Sequence, residues 1–330
     1  MPRSKIALLY VGGSIGMKVN QKTGRIEPLE SLSEVHRFLP ELQKEVSLQF
    51  FSVANVGSSE INSGHWIEIA QVIQANYDEF DGFVVVHGTN TMSYTASALS
   101  FALQGLSKPV ILTGALLPIN DLVGDGRMNM VFAIRAAQLD IAEVCVCLGP
   151  HVYRGSRIKK VEASFMETFE SPNCGALVDF SREIRIADHR IVRRKRTLEC
   201  KPSFDTNVIL LTVHPDMPKA FLEAALASDP HGIVLRTYGP GMLSKELFPW
   251  LQTVTEKQIP IVITSQALRG KVDLHKYRKQ LTLEQLGIIS GKDMTFECAV
   301  VKLMWALAQA KAPRRIRDLM ERSLVGELEE

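Results

Sequence analysis

The feature that most constrains this chain is a recurring pattern of short apolar runs, each bounded by glycine, proline or small polar residues. They fall at positions 6–11, 82–86, 110–113, 144–148, 208–213, 232–235 and 261–264. Runs of this length without polar alternation predict strands of a parallel sheet covered on both faces. Amphipathic segments at 66–77, 91–106 and 128–139 lie between several of them and are long enough to be crossover helices. Strand and helix in alternation predict an α/β architecture.

A chain of 330 residues is long for a single core. After Asp179 the pattern breaks into a polar stretch and the basic run Arg193-Arg194-Lys195-Arg196, and it resumes with the apolar run at 208. The expected organisation is an amino-terminal domain over 1–187, a linker over 188–206 and a second α/β domain over 207–330. Within the second domain, a helix from near Lys219, a strand at 232, a helix ending near Glu256, a strand at 261 and a helical stretch from Thr295 make a smaller open sheet. The basic run reads as a solvated linker or face.

The formal charge of +2, left over from 38 basic and 36 acidic residues, is far from the balance of a nucleic-acid binder. No nucleic-acid partner is expected. The run at 6–11 is too short for a signal-peptide core or a membrane span, so no membrane partner is expected either. The five cysteines, Cys145, Cys147, Cys174, Cys200 and Cys298, are odd in number and contain no CxxC pair. They predict buried, reduced thiols in a cytoplasmic protein.

In open parallel sheets ligands bind beyond the carboxyl ends of the strands. Four such places are unusually polar: Val11-Gly12-Gly13-Ser14-Ile15-Gly16-Met17, Val56-Gly57-Ser58-Ser59-Glu60, His87-Gly88-Thr89-Asn90-Thr91 and the stretch from Tyr153 to Lys160. Gly12, Gly13 and Gly16 allow a tight turn whose N–H groups approach an anion or a developing oxyanion. Their spacing is wrong for Gly-x-Gly-x-x-Gly, and Glu34 lies in a polar, helical stretch, which argues against a nicotinamide or flavin site. Thr89, Asn90 and Thr91 sit where a helix begins and would serve as caps in any protein. Their coincidence with hydroxyls at Ser14 and Ser58 and an amine at Lys160, all at one sheet edge, points to chemistry instead. A hydroxyl is a weak nucleophile until a base takes its proton, and a partly desolvated lysine can be that base. His87 is the one histidine in the group and no metal-ligand spacing occurs, so neither a Ser–His–Asp triad nor a metal is indicated. No cofactor is expected.

At these loops the sequence resembles the bacterial cytoplasmic, type I asparaginases. The family's Thr-Gly-Gly-Thr-Ile-Gly-Met corresponds to residues 11–17, and its His-Gly-Thr-Asp-Thr-Met to His87-Gly88-Thr89-Asn90-Thr91-Met92. The likeness continues through Lys108-Pro109-Val110, Asp125-Gly126, Tyr153-Arg154-Gly155, Ser171-Pro172-Asn173, Leu235-Arg236, Tyr238-Gly239 and Asp293-Met294-Thr295. The resemblance implies two open α/β domains, the larger amino-terminal one with a mainly parallel sheet and the smaller one Rossmann-like, in a homodimer or homotetramer acting on a small amide. It implies Ser14 as nucleophile on a lid, and Thr89 and Lys160 as members of a Thr–Lys–Asp set. Ser58, with Gly57 and Ser59 beside it, would bind the substrate's carboxylate.

The departures are as informative. Asn90 stands for the aspartate that pairs with the substrate's ammonium group, Arg25 for a lid tyrosine, and Met242 for an asparagine that reaches the substrate amine from the partner subunit. The resemblance also places Arg236 and Lys159 at a second, regulatory site for asparagine, where a family threonine and cysteine become Lys159 and Ala267. Three readings follow: an amidohydrolase releasing ammonia from asparagine or a related amide; a homologue that binds a small carboxylate or amide without efficient turnover; and a component of a tRNA-dependent amidotransferase, which the near-neutral charge disfavours.

Overall fold

The runs at 82–86, 110–113 and 144–148 become the strands Gly82–Val86, Val110–Thr113 and Val144–Leu148, with every residue buried. Strands apolar on both faces need cover on both, which is the physical reason such runs are legible. In this computed structural model, which describes residues 3–20, 22–29, 32–275 and 278–329, they form the centre of an eight-stranded sheet. The chain divides into two compact units, Met1–Pro202 and Ser203–Glu330.

In the first unit Val46–Ser52, Ser4–Tyr10, Gly82–Val86, Val110–Thr113 and Val144–Leu148 run parallel in that spatial order. The sheet then turns antiparallel through His151–Arg154, Val178–Phe180 and Ile184–Ile186. These last three strands are absent from the apolar pattern. His151–Arg154 buries only alternate residues and Ile184–Ile186 is an exposed edge, so neither makes a continuous apolar run. On one face Met130, Ala133 and Ile134 of the helix Gly126–Ala136 pack with Ile6, Val84, Ile111 and Cys145.

Helix boundaries differ from the expected ones by a few residues. The helix at 66–77 is Ser63–Ala75, because Asn62 caps it by accepting from Gly64 N at 3.0 Å while Asn62 N donates to His65 Nδ1 at 3.2 Å. The helix at 91–106 is Met92–Ala102, after which Leu103–Gln104 pairs with Glu199–Cys200. Two of its buried hydroxyls are satisfied locally, Ser97 and Ser100 donating to the carbonyls of Ser93 and Ala96 at 2.8 and 2.7 Å.

The basic run is less solvated than expected. Arg193 is half-buried and donates from Nε to Leu139 O at 2.9 Å and from Nη2 to Ala137 O at 3.2 Å, a cation on carbonyls just beyond a helix end. Arg194, Lys195 and Arg196 are exposed. None of the five cysteines is in a disulfide, but Cys174 and Cys200 are only partly buried, which corrects the expectation for those two.

In the second unit Val208–Thr212, Gly232–Thr237, Ile261–Ser265 and Ile289–Ser290 form a parallel sheet in that order. Ile233, Leu235, Ile261 and Ile263 pack with Leu222, Trp250 and Leu251. Thr295 caps the helix Phe296–Gln309, accepting from Cys298 N at 3.2 Å. Within that apolar helix Lys302 is fully buried. Its Nζ donates to Met320 O at 2.9 Å and Arg322 O at 2.7 Å and pairs with Glu327 Oε1 at 2.5 Å. Glu327, equally buried, accepts from Leu324 N and Val325 N. Among the described residues no helix is long and apolar enough to cross a membrane.

Candidate active site

Three of the polar loops touch through their backbones, and glycines make this possible. Val11 N donates to Val86 O at 3.0 Å and Val56 N to Val11 O at 3.1 Å, so the chain segments after three adjacent strands are stitched together. Gly12 and Gly13 hold φ values of 130° and 87°, which favour glycine. A Cβ on Gly12 would stand 2.1 Å from Val56 O, and one on Gly13 would stand 2.5 Å from Gly88 Cα.

Ser58 is buried and its Oγ accepts from Asn90 N at 3.2 Å, while Thr91 Oγ1 donates to Ser58 O at 2.6 Å. The hydroxyl proton of Ser58 is left to donate elsewhere. Thr89 is also buried, and Lys160 Nζ donates to Thr89 Oγ1 at 2.9 Å and to Asn90 Oδ1 at 2.8 Å. Partial burial pushes the Lys160 amine below its ordinary pKa. Lys160 lies on the two-residue strand Lys159–Lys160, paired with Phe169–Glu170. Successive residues of a strand face opposite ways, so Lys159 is turned from the face that Lys160 presents to Thr89.

Ser58, Thr89, Asn90 and Lys160 are thus one hydrogen-bonded group. Ser14 adjoins it through the backbone: it is half-buried in a single turn, next to Gly13, which abuts Gly88. Gly57 and Ser59 flank Ser58 and are exposed. Arg25 is exposed at the tip of the hairpin formed by Met17–Val19 and Ile26–Pro28. Beside it Asn20 Oδ1 accepts from Lys22 N and Thr23 N, and Asn20 N donates to Arg25 O at 2.8 Å.

In the second unit Met242 closes a tight loop, bridged to Tyr238 by two backbone hydrogen bonds of 2.8 and 3.1 Å. It lines a cavity of about 370 Å³ with Val213, His214 and Tyr238. Arg236 is half-buried with its guanidinium carbon 4.3 Å from the centre of the Phe296 ring.

Beneath Thr89 runs a chain that the loop motifs do not disclose, because Trp66 and Thr95 sit inside helices. Trp66 Nε1 donates to Thr95 Oγ1 at 3.1 Å, and Thr95 Oγ1 lies 3.0 Å from His87 Nε2. His87 Nδ1 lies 2.6 Å from Gly88 O, which can only accept, so Nδ1 carries the proton and Nε2 accepts from Thr95. The imidazole is fully buried, and desolvation pushes its pKa from 6.5 down to about 4. A folded state that refuses a proton the unfolded chain accepts is at full stability above the unfolded value and loses it as pH falls. Unfolding free energy should therefore drop by about 3 kcal/mol between pH 6.5 and 4 on account of His87. Denaturation across that range should show this slope in the wild type and its loss in His87→Gln; equal slopes would place the proton elsewhere.

Residues 5–192 match the family model described as Asparaginase, N-terminal, and residues 207–320 match the Glutaminase/Asparaginase C-terminal domain. The chain is 33% identical over 338 residues to L-asparaginase 1 of Escherichia coli (strain K12), covering 99% of each. It is 31% identical over 335 residues to a glutamyl-tRNA(Gln) amidotransferase component of Metallosphaera sedula, covering 98% of this chain and 76% of that one. The solved structure of L-asparaginase I from Vibrio cholerae resembles it with a TM-score of 0.91 at 32% identity, covering 100% of both chains. On two matched domains and full-length likeness in sequence and fold, the chain belongs to the asparaginase family.

Proposed function

We propose that this chain hydrolyses a small carboxamide, asparagine or a relative of it, releasing ammonia. The observation that carries this reading is the Lys160 amine within hydrogen-bond reach of the buried Thr89 hydroxyl, whose loop abuts the one bearing Ser14. Ser14 Oγ attacks the amide carbon and the carbonyl electron pair moves to oxygen. Thr89 and a neutral Lys160 take up the hydroxyl proton and return it to the leaving nitrogen. Ammonia departs as the C–N bond breaks, and water then releases the acyl group from Ser14 by the same path. The lowered pKa of Lys160 leaves more of it in the neutral, proton-accepting form. The Ser58 hydroxyl donates to a substrate carboxylate. The enzyme acts in the cytoplasm as a homodimer or homotetramer, in which Met242 of one protomer faces the substrate of another.

A second reading, a binding protein without efficient turnover, is favoured by one contact. Lys160 meets the neutral amide of Asn90 where the family has a carboxylate. That exchange removes an attraction of about 1–4 kcal/mol for a substrate ammonium group at contact distance. The preferred ligand is then an amide or carboxylate without a free α-amine. Ammonia release is measured from asparagine, glutamine, and deaminated and N-acylated analogues, for the wild type and Asn90→Asp. The wild type should prefer the analogues. Asn90→Asp should lower the Michaelis constant for asparagine and move the alkaline rise in rate to higher pH, because a negative neighbour favours charged lysine. If asparagine is the best substrate of the wild type and Asn90→Asp brings no gain, the specificity reading fails. No release from any amide, with thermal stabilisation by the analogues, selects the binding protein.

A further inference from the structure

We propose that Asn120 is a positioning residue that latches the hairpin following Ser14 onto the sheet edge; this rests on the hydrolase reading of the site. The hairpin strands Met17–Val19 and Ile26–Pro28 are three residues each and pair with one another. A two-stranded ribbon of that size is marginal in water without support. Its support on the free side of Met17–Val19 is the loop that follows the strand Val110–Thr113. There Ile119 N donates to Met17 O at 3.1 Å. One position further, a side chain takes over from the backbone. Val19 N donates to Asn120 Oδ1 at 2.8 Å and Asn120 Nδ2 donates to Val19 O at 2.9 Å. The carboxamide thereby supplies the donor and acceptor that a third strand would have supplied.

The platform beneath this latch is fixed. Asp125 accepts from Leu116 N at 3.1 Å and Leu117 N at 3.3 Å, Asn129 Nδ2 donates to Gly114 O at 2.8 Å, and Ile119 is buried. On the hairpin itself Lys18 is ion-paired with Glu34. Leu29 N donates to Gly16 O at 2.7 Å, so displacement of the hairpin pulls directly on the turn Ser14–Gly16. No other amide side chain bonds both backbone groups of a hairpin residue in the described part of this loop.

The test reads the latch and the chemistry separately. Lys22 and Arg25 are exposed at the hairpin tip, and Arg194, Lys195 and Arg196 are exposed elsewhere, so trypsin cuts at the tip can be normalised to cuts in the basic run. Without substrate, Asn120→Ala should speed tip cleavage about 5- to 100-fold, the opening expected from losing two hydrogen bonds, with an unchanged melting curve. Asn120→Asp keeps the acceptor for Val19 N but faces Val19 O without a proton, and should cleave faster than wild type in the same way. On the best amide, both variants should lower kcat with less effect on KM. Tip cleavage equal to wild type in both variants overturns the latch. Faster cleavage with unchanged kcat overturns the positioning role. If the wild type itself releases no ammonia, the hydrolase reading fails, and cleavage still decides whether the latch exists.

Discussion

Lys160→Met is expected to lower ammonia release by about 10²–10⁴-fold, the range for removing a positioned acid–base group. The amine is half-exposed and its partners are a hydroxyl and an amide that water can solvate, so the fold should lose no more than about 1 kcal/mol. Thr89→Val should fall with it, because the two groups share a proton path. Ser14→Ala should abolish turnover by removing the attacking oxygen. Steady-state rates on the best amide, beside melting curves, decide among the outcomes. Near-wild-type turnover in Lys160→Met refutes its role. Retained turnover in Ser14→Ala with loss in Thr89→Val would transfer the nucleophile to Thr89, the hydroxyl that Lys160 touches.

The largest expected stability effect lies in the second unit. Glu327→Ala leaves Lys302 fully buried with two carbonyls and no countercharge. Breaking a buried pair by removing one member costs about 3–5 kcal/mol. The same substitution strands Leu324 N and Val325 N, so the end of the chain should loosen as well. Urea denaturation measures the loss. The double variant Lys302→Met, Glu327→Gln should recover much of it, since a glutamine oxygen can still accept from both amides and no charge is left buried. A loss below about 1 kcal/mol in Glu327→Ala would show that carbonyls alone support the lysine.

What could be read from the chain followed burial. The central strands were legible because both faces of each are covered, which forces a continuous apolar run. The antiparallel extension from His151 to Ile186 was not, since an edge with one wet face carries polar residues such as Arg185. Helices begin earlier than their apolar stripes indicate where capping residues such as Asn62 precede the stripe. At the candidate site, Ser58 and Thr89 could be found because each follows a strand-like run in the sequence. Lys160 came within reach only as the end of a polar stretch after Leu148. Asn120 carried no signal: an asparagine in a loop predicts a turn, and its two bonds to Val19 join residues 101 apart. His87 is visible in its loop, but its bond to Thr95 is not, because a contact between a helix interior and a strand end has no local spacing.

The buried chain under Thr89 has an optical consequence. Of the three tryptophans in the sequence, Trp250 and Trp305 belong to the second unit, and Trp66 alone to the first. Its indole is buried, with its N–H on Thr95, two hydrogen bonds from the histidine that opens the Thr89 loop. In a chain with phenylalanine at 250 and 305, tryptophan emission, excited beyond the tyrosine absorption, would arise solely from the floor of the proposed site, giving the first unit a spectroscopic channel of its own.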